Sequence, residues 1–152
     1  MNRARGFEIA KGYEDKNINL PVRHTKNAAG YDFEAAEDVV IKSFTKGCIP
    51  TLVHTGVKAY MQDDEVLCIY DRSSNPKKKG IILANSVGII DSDYYGNPDT
   101  DGEIAFSFYN TRDEDVIIKK GERIGQGVFH KFLKTDDDDA SGERLGGFGS
   151  TK

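Results

Sequence analysis

The chain has 152 residues, 38% of them hydrophobic and 30% charged, with 21 Lys and Arg against 25 Asp and Glu for a formal net charge of −4. That balance describes a soluble globular protein with enough chain for a core, and it argues against a protein that coats duplex DNA, since such surfaces are basic. No stretch approaches the ~20 apolar residues of a membrane span, and neither nucleic acid nor membrane is expected as a partner.

Taken in chain order, the opening residues MNRARGFEIAKGY lack the apolar run of a secretory signal. Cys48 and Cys68 form no CxxC pair and have no His at metal-ligand spacing. Both read as small buried thiols of a reducing compartment, so a cytoplasmic location is expected. The β candidates that follow are DVVIKSF from Asp38, TLVHTGVKAYM from Thr51, EVLCIY from Glu65, IILANSVGII from Ile81, EIAFSFYN from Glu103 and RIGQGVFHKF from Arg123. Two-residue alternation recurs in them, and no segment carries a sustained 3.6-residue period. In the fifth, Ile104, Phe106 and Phe108 share one face. In the sixth, Ile124, Gln126, Val128, His130 and Phe132 alternate with Gly125, Gly127, Phe129 and Lys131. Short strands separated by turn residues predict an all-β sandwich or barrel, with a jelly-roll-like pair of sheets. With no repeat and no linker, residues 1–140 are expected to form a single β domain. The acidic run TDDDDASGE from Thr135 reads as a solvated loop. Residues 141–152, rich in Gly, read as a mobile tail.

The stretch VGIIDSDYYGNPDTDGEI, Val87 to Ile104, brings five acidic residues together. Asp91, Asp93 and Gly96 match three positions of an EF-hand calcium loop, but Tyr95 and Gly102 fall where acids are required and Glu103 comes a residue late. No helix is expected on either side. An ordinary polar turn and the acidic end of an active site both remain open on the stretch alone.

Five short segments depart from simple alternation: AAGYDFEAAEDV with Asp32, DRSSNPKKKGI with Arg72, Ser73 and Ser74, NSVGIIDSDYYG with Asn85, Gly88, Asp91 and Tyr94, KGERIGQGVF with Gln126, and GGFGST with Phe148, Gly149, Ser150 and Thr151. In this order, over about Ala29 to Thr151, they resemble the trimeric dUTP diphosphatases (dUTPases). The resemblance implies a distorted jelly roll, a homotrimer, and Mg²⁺-dependent hydrolysis of dUTP to dUMP and pyrophosphate in sites shared by all three chains. It implies that Arg72, Ser73 and Ser74 contact the phosphates, with Gln126 a further donor there. Asp32 would lie near a hydrated Mg²⁺ held mainly by the triphosphate. Asn85 and Gly88 would belong to a β-hairpin that holds uracil by main-chain hydrogen bonds. Tyr94 would pack under the sugar where a 2′-hydroxyl clashes, and Asp91 would meet the 3′-hydroxyl and act as general base. Phe148 would stack on uracil as residues 141–152 close as a lid, with Gly149 among the substrate-binding residues, Ser150 and Thr151 reaching the terminal phosphates and Arg144 the γ-phosphate. The residue types suit that chemistry: a triphosphate carries about four negative charges, and Arg offers a planar bidentate fork for it.

Three features depart from the family pattern. NPDTDG, residues 97–102, lengthens the expected hairpin tip, Arg144 stands one residue closer to Phe148 than usual, and the acidic loop has no counterpart. A dCTP deaminase is the nearest enzyme alternative, but it places Ala-Arg after its Arg-Ser-Ser and uses a glutamate, whereas here NPKKKG and Asp91 stand. A dUTPase with an added regulatory role, using the insertion or the acidic loop as partner surface, is the alternative from another class.

Overall fold

The computed structural model describes residues 2–149. Eleven strands follow one another: β1 (Gly6–Ile9), β2 (Tyr31–Glu34), β3 (Val39–Ile41), β4 (Thr51–His54), β5 (Val57–Tyr60), β6 (Glu65–Asp71), β7 (Ile81–Leu83), β8 (Gly88–Asp91), β9 (Ala105–Asn110), β10 (Val116–Ile118) and β11 (Arg123–Lys131). All pairings are antiparallel and give sheets of order β2-β11-β6-β8, β4-β9-β7, β1-β5 and β10-β3. Helical structure among the described residues is confined to 3₁₀ turns at Phe44–Lys46 and Ser92–Tyr94 and a π turn at Asn75–Lys79.

Alternation places the core as the sequence leads one to expect. Ile104, Phe106 and Phe108 are fully buried, and they meet Phe33, Leu67 and Ile124 between the sheets. Burying each such side chain contributes roughly 1.5–3 kcal/mol. Phe33 and Phe106 pack with ring centroids 5.4 Å apart, and Phe7 of β1 seals the edge against Tyr31, Phe33 and Phe129.

The structure corrects several details. The alternation of β11 is broken by a register shift between Arg123 and Gly125. Ile124 points into the core before the bulge; after it, Gly125, Gly127 and Phe129 do, rather than Gln126 and Val128. Gln126 is thereby turned away from Phe106, a re-aiming characteristic of bulges. β1, β2 and β10 are not among the β candidates read from the sequence. Cys48 is exposed rather than buried. The link from β7 to β8 is an arch, since β7 pairs with β9 while β8 pairs with β6; β8 and β9, which flank the expected hairpin tip at 97–102, also lie in different sheets rather than pairing with each other.

The 97–102 insertion is not an open hairpin tip. Asn97 is buried, donates to Tyr94 O at 2.7 Å and Thr100 Oγ1 at 2.8 Å, and accepts from the backbone of Asp99 and Thr100. Asp101 then anchors the loop to Lys58 Nζ at 2.8 Å and to the Lys11 N–H at 2.9 Å.

Gly125 is required by close packing: a Cβ there would lie 2.1 Å from Phe106 Cε2. Gly125→Ala should lower stability by about 1–3 kcal/mol through overpacking. It should appear as a lower urea midpoint with an unchanged slope at fixed chain concentration. Gly142→Ala, where an added Cβ meets nothing within 4 Å, should leave the midpoint in place.

Candidate active site

Under the arch lies a cavity of about 210 Å³ whose lining includes Ile69, Asn85, Gly88, Asp91, Tyr94 and Phe148. That is below the ~300 Å³ typical of sites for larger ligands and suits a single ring. Gly88 stands opposite Ile69 on β6, and a Cβ would come 2.3 Å from Ile69 Cγ1. The backbone approaches closely here, and main-chain groups rather than side chains form this wall. Tyr94, on the 3₁₀ turn after β8, is buried, and its hydroxyl donates to Glu103 O at 2.7 Å. Burial raises its phenol above the usual tyrosine value, so the hydroxyl remains a donor at neutral pH.

Asp91 closes β8 at the cavity rim with its side chain 48% exposed. The C-terminal segment folds back onto it. Arg144 Nη2 donates to Asp91 Oδ2 at 2.6 Å and its Nε donates to Asp93 Oδ1 at 3.1 Å. Gly147 backs onto the Tyr94 ring, while Phe148 reaches the cavity and is otherwise 71% exposed. Arg144, expected on a phosphate, is therefore held here by two carboxylates of its own chain, and Asp93 has a specific partner. Gly149 follows in a turn, and Ser150 and Thr151 lie outside the described residues.

The other expected residues gather elsewhere. Arg72, Ser73 and Ser74 form the turn that leaves β6, and Arg72 Nη1 donates to Arg123 O at 3.2 Å. Gln126 on β11 pairs with Asp32 on one side and Tyr70 on the other, and its amide donates to Asp71 O at 3.1 Å. Asp32 Oδ2 lies 2.6 Å from His24 Nδ1. None of Asp32, Arg72, Ser73, Ser74 and Gln126 lines the cavity. One chain thus presents two clusters, a ring-sized cavity with a carboxylate at its rim and a group of cationic and amide donors. Sequence reasoning missed His24, Asp71 and Asn75, whose hydrogen bonds tie the second cluster together; Asn75 meets Ile124 across 49 residues, whereas His24 with Asp32 and Asp71 with Asn75 are only eight and four residues apart, pairings for which spacing alone gave no signal.

The chain is similar over most of its length to known dUTPases. The dUTPase family model matches residues 16–152. A deoxyuridine 5′-triphosphate nucleotidohydrolase of Lactococcus lactis is 55% identical over 151 residues, 98% of each chain. One of Desulfitobacterium hafniense is 36% identical over 95% of this chain and 94% of its own. The crystal structure of dUTPase from Streptococcus mutans superposes with TM-score 0.80 at 51% identity, over 86% of this chain and 98% of that one. A dUTPase from phage phi11 of S. aureus shares the fold with TM-score 0.71 at 17% identity, over 92% of this chain and 97% of that one.

The Arg144 fork, 19% exposed, grips two acids that are about half exposed. Such pairs contribute up to about 1 kcal/mol and are screened by salt. Arg144→Gln should accelerate hydrogen exchange at the amides of residues 144–149 by about two- to fivefold, corresponding to ~0.5–1 kcal/mol. Raising the salt concentration should move the unsubstituted chain in the same direction.

Proposed function

The chain belongs to the dUTPase family and hydrolyses dUTP, and on that premise we propose that dUMP and pyrophosphate form in a site built from both clusters. The observation that carries this reading is the cavity between Gly88 and Tyr94 with Asp91 at its rim. Uracil occupies the cavity, and the main chain of the arch around Asn85 and Gly88 supplies its hydrogen bonds in place of a pairing base. Tyr94, fixed by its bond to Glu103 O, lies under the sugar and leaves no space for a 2′-hydroxyl. That selects deoxyribose.

Asp91 takes a proton from the attacking water as the water oxygen bonds to the α-phosphorus. The bond to the bridging oxygen breaks, pyrophosphate leaves and dUMP remains. Asp91 Oδ2 is engaged by Arg144, and no described residue donates to Oδ1. When Arg144 swings to the phosphates, both oxygens of Asp91 become available to the water. Phe148 covers the base and, with residues 141–152 acting as a lid, excludes bulk water. Ser150 and Thr151 belong to the same lid.

Arg72, Ser73, Ser74 and Gln126 supply the fork, hydroxyls and amide that bind the triphosphate. The donor set fits Mg²⁺ of the kind that keeps its waters and needs one or two protein carboxylates besides the phosphates. Asp32 is such a carboxylate, and among the described residues no group of three or more His, Cys, Asp or Glu is arranged as a metal cage. Bound with the triphosphate, the ion neutralises phosphate charge.

Since the cavity is lined by none of the phosphate-side residues, a site complete in both halves is built when copies of the chain share them, as a homotrimer does. Val40 and Ile117, directly paired across β3 and β10, and Leu52 and Ile82 are exposed apolar residues available to such packing. The exposed, unpaired Cys48 suits a reducing cytoplasmic setting.

Asp91→Asn keeps shape but accepts no proton. Single-turnover hydrolysis should slow by roughly 10²–10⁴-fold while a hydrolysis-resistant dUTP analogue still binds. A wild-type rate would remove Asp91 as the base. The unsubstituted enzyme should favour dUTP over UTP and dCTP by more than tenfold in kcat/KM, at least ~1.4 kcal/mol, and release pyrophosphate rather than ammonia. Mixing Asp91→Asn chains with Arg72→Ala chains should regain activity that neither has alone, because shared sites can draw one intact half from each.

A further inference from the structure

Asp71 and Asn75 touch neither the cavity nor any charged group of the phosphate cluster, yet together they hold that cluster in place. Asp71 ends β6 opposite Gly125. Its Oδ1 accepts from the Arg72 N–H at 2.9 Å and from Asn75 Nδ2 at 2.6 Å, and its Oδ2 accepts from the Leu83 N–H at 3.0 Å. Its carbonyl accepts the Gln126 amide, and Asn75 Nδ2 also donates to Ile124 O at 2.9 Å. One carboxylate and one amide therefore join three segments: the turn bearing Arg72, Ser73 and Ser74, the entrance of the uracil arch two residues before Asn85, and β11 at its bulge and just after it.

This arrangement leaves one buried polar atom unsatisfied. Asn75 is fully buried, and its Oδ1 has no hydrogen-bond partner. Rotating the amide would be worse, since both atoms that Nδ2 faces are acceptors. A buried acceptor without a donor lowers stability; leucine, of the same shape, would remove that oxygen but leave Ile124 O without its donor, so the two penalties largely offset. What the amide provides beyond packing is the link between Asp71 and β11. The link is short and Asn75 is fully buried, so the turn has one position relative to Gln126.

We propose that Asp71 and Asn75 are positioning residues for phosphate binding, setting the Arg72 turn against Gln126 and, through Leu83, against the uracil arch. The inference rests on the assignment of Arg72 and Gln126 to the phosphates made above. A displacement of about 1 Å in such a cluster costs ~10²-fold in rate, so loss of the link reads out in the chemistry before it reads out in folding.

The test uses the full-length assembly with Asn75→Leu, which is isosteric and removes the orphan oxygen, and Asp71→Asn. Binding is measured calorimetrically with two probes, dUMP and an α,β-imido analogue of dUTP. Asn75→Leu should weaken the imido analogue at least tenfold and dUMP less than threefold, with kcat reduced at least tenfold and the melting temperature close to that of the unsubstituted chain. On an Arg72→Ala background the same substitution should cost little further affinity for the analogue. Parallel loss of both probes in step with a lower melting temperature would make the pair merely structural and overturn the proposal, as would unchanged analogue binding. Should Asn75→Leu fail to fold, Asp71→Asn faces the same criteria. If Arg72→Ala alone binds the analogue as tightly as the unsubstituted chain, the phosphate assignment and this inference fall together. If Arg72→Ala loses the analogue while neither Asn75→Leu nor Asp71→Asn does, only this inference falls.

Discussion

The ladder that β6 makes with β11 along one edge and β8 along the other holds both halves of the chemistry. Seven residues of β6 pair continuously with β11 from Glu65 to Asp71, and four pair with β8 from Val66 to Ile69. The donor cluster hangs from the β11 side and from the turn that leaves β6; the cavity hangs from the β8 side. A strand buried between two partners is the least deformable position in a sheet, so relative motion of the two clusters must bend the ladder itself. The bulge at Ile124 and the Asp71–Asn75 link add the remaining constraint. The bulge turns Gln126 out of the core, and the link ties the turn to the strand at the bulge and just beyond it.

Where a side chain's environment follows from its neighbours along the chain, the sequence was informative. Ile104, Phe106 and Phe108 announce an inward face because alternation is a local property of extended backbone. The roles of Asp91, Tyr94 and Phe148 rested on residue type, order and resemblance, and the cavity brings these three together. What could not be read depends on which distant segment lies alongside. An arch and a hairpin have the same local sequence at residues 81–91, and only the partners of β7 and β8 distinguish them. The β11 bulge is concealed because Ile124 and Val128 are both apolar, so either phase of the strand satisfies the pattern. The hydrogen bond of Asn75 to Ile124 spans 49 residues and that of Arg144 to Asp91 spans 53, distances at which spacing carries no information.

The Arg144 contact also changes how the tail is understood. A Gly-rich end would be expected to wander, yet here a planar cation spans Asp91 and Asp93 and holds the segment against Tyr94. The cation and the carboxylate it covers are both assigned to substrate, one to its phosphates and one to its attacking water. On the function proposed above, their mutual neutralisation is a resting arrangement that a triphosphate, with more negative charge than two carboxylates, would outcompete. The acidic run that precedes the tail is exposed throughout and takes no part in this contact.

The buried Asn97 has a consequence for how this surface can change over evolutionary time. Its amide satisfies the turn from inside and fastens it to the carbonyl of Tyr94, while Asp101 pins the far end to Lys58 and Lys11. The outermost residues, Pro98 and Asp99, are exposed, and their side chains bear none of that fastening. The insertion is thus a mount with an interchangeable tip: substitutions there alter what the molecule displays without disturbing the Tyr94 ring that lines the cavity. Diversification of the exterior and preservation of turnover are uncoupled at this point by a single amide.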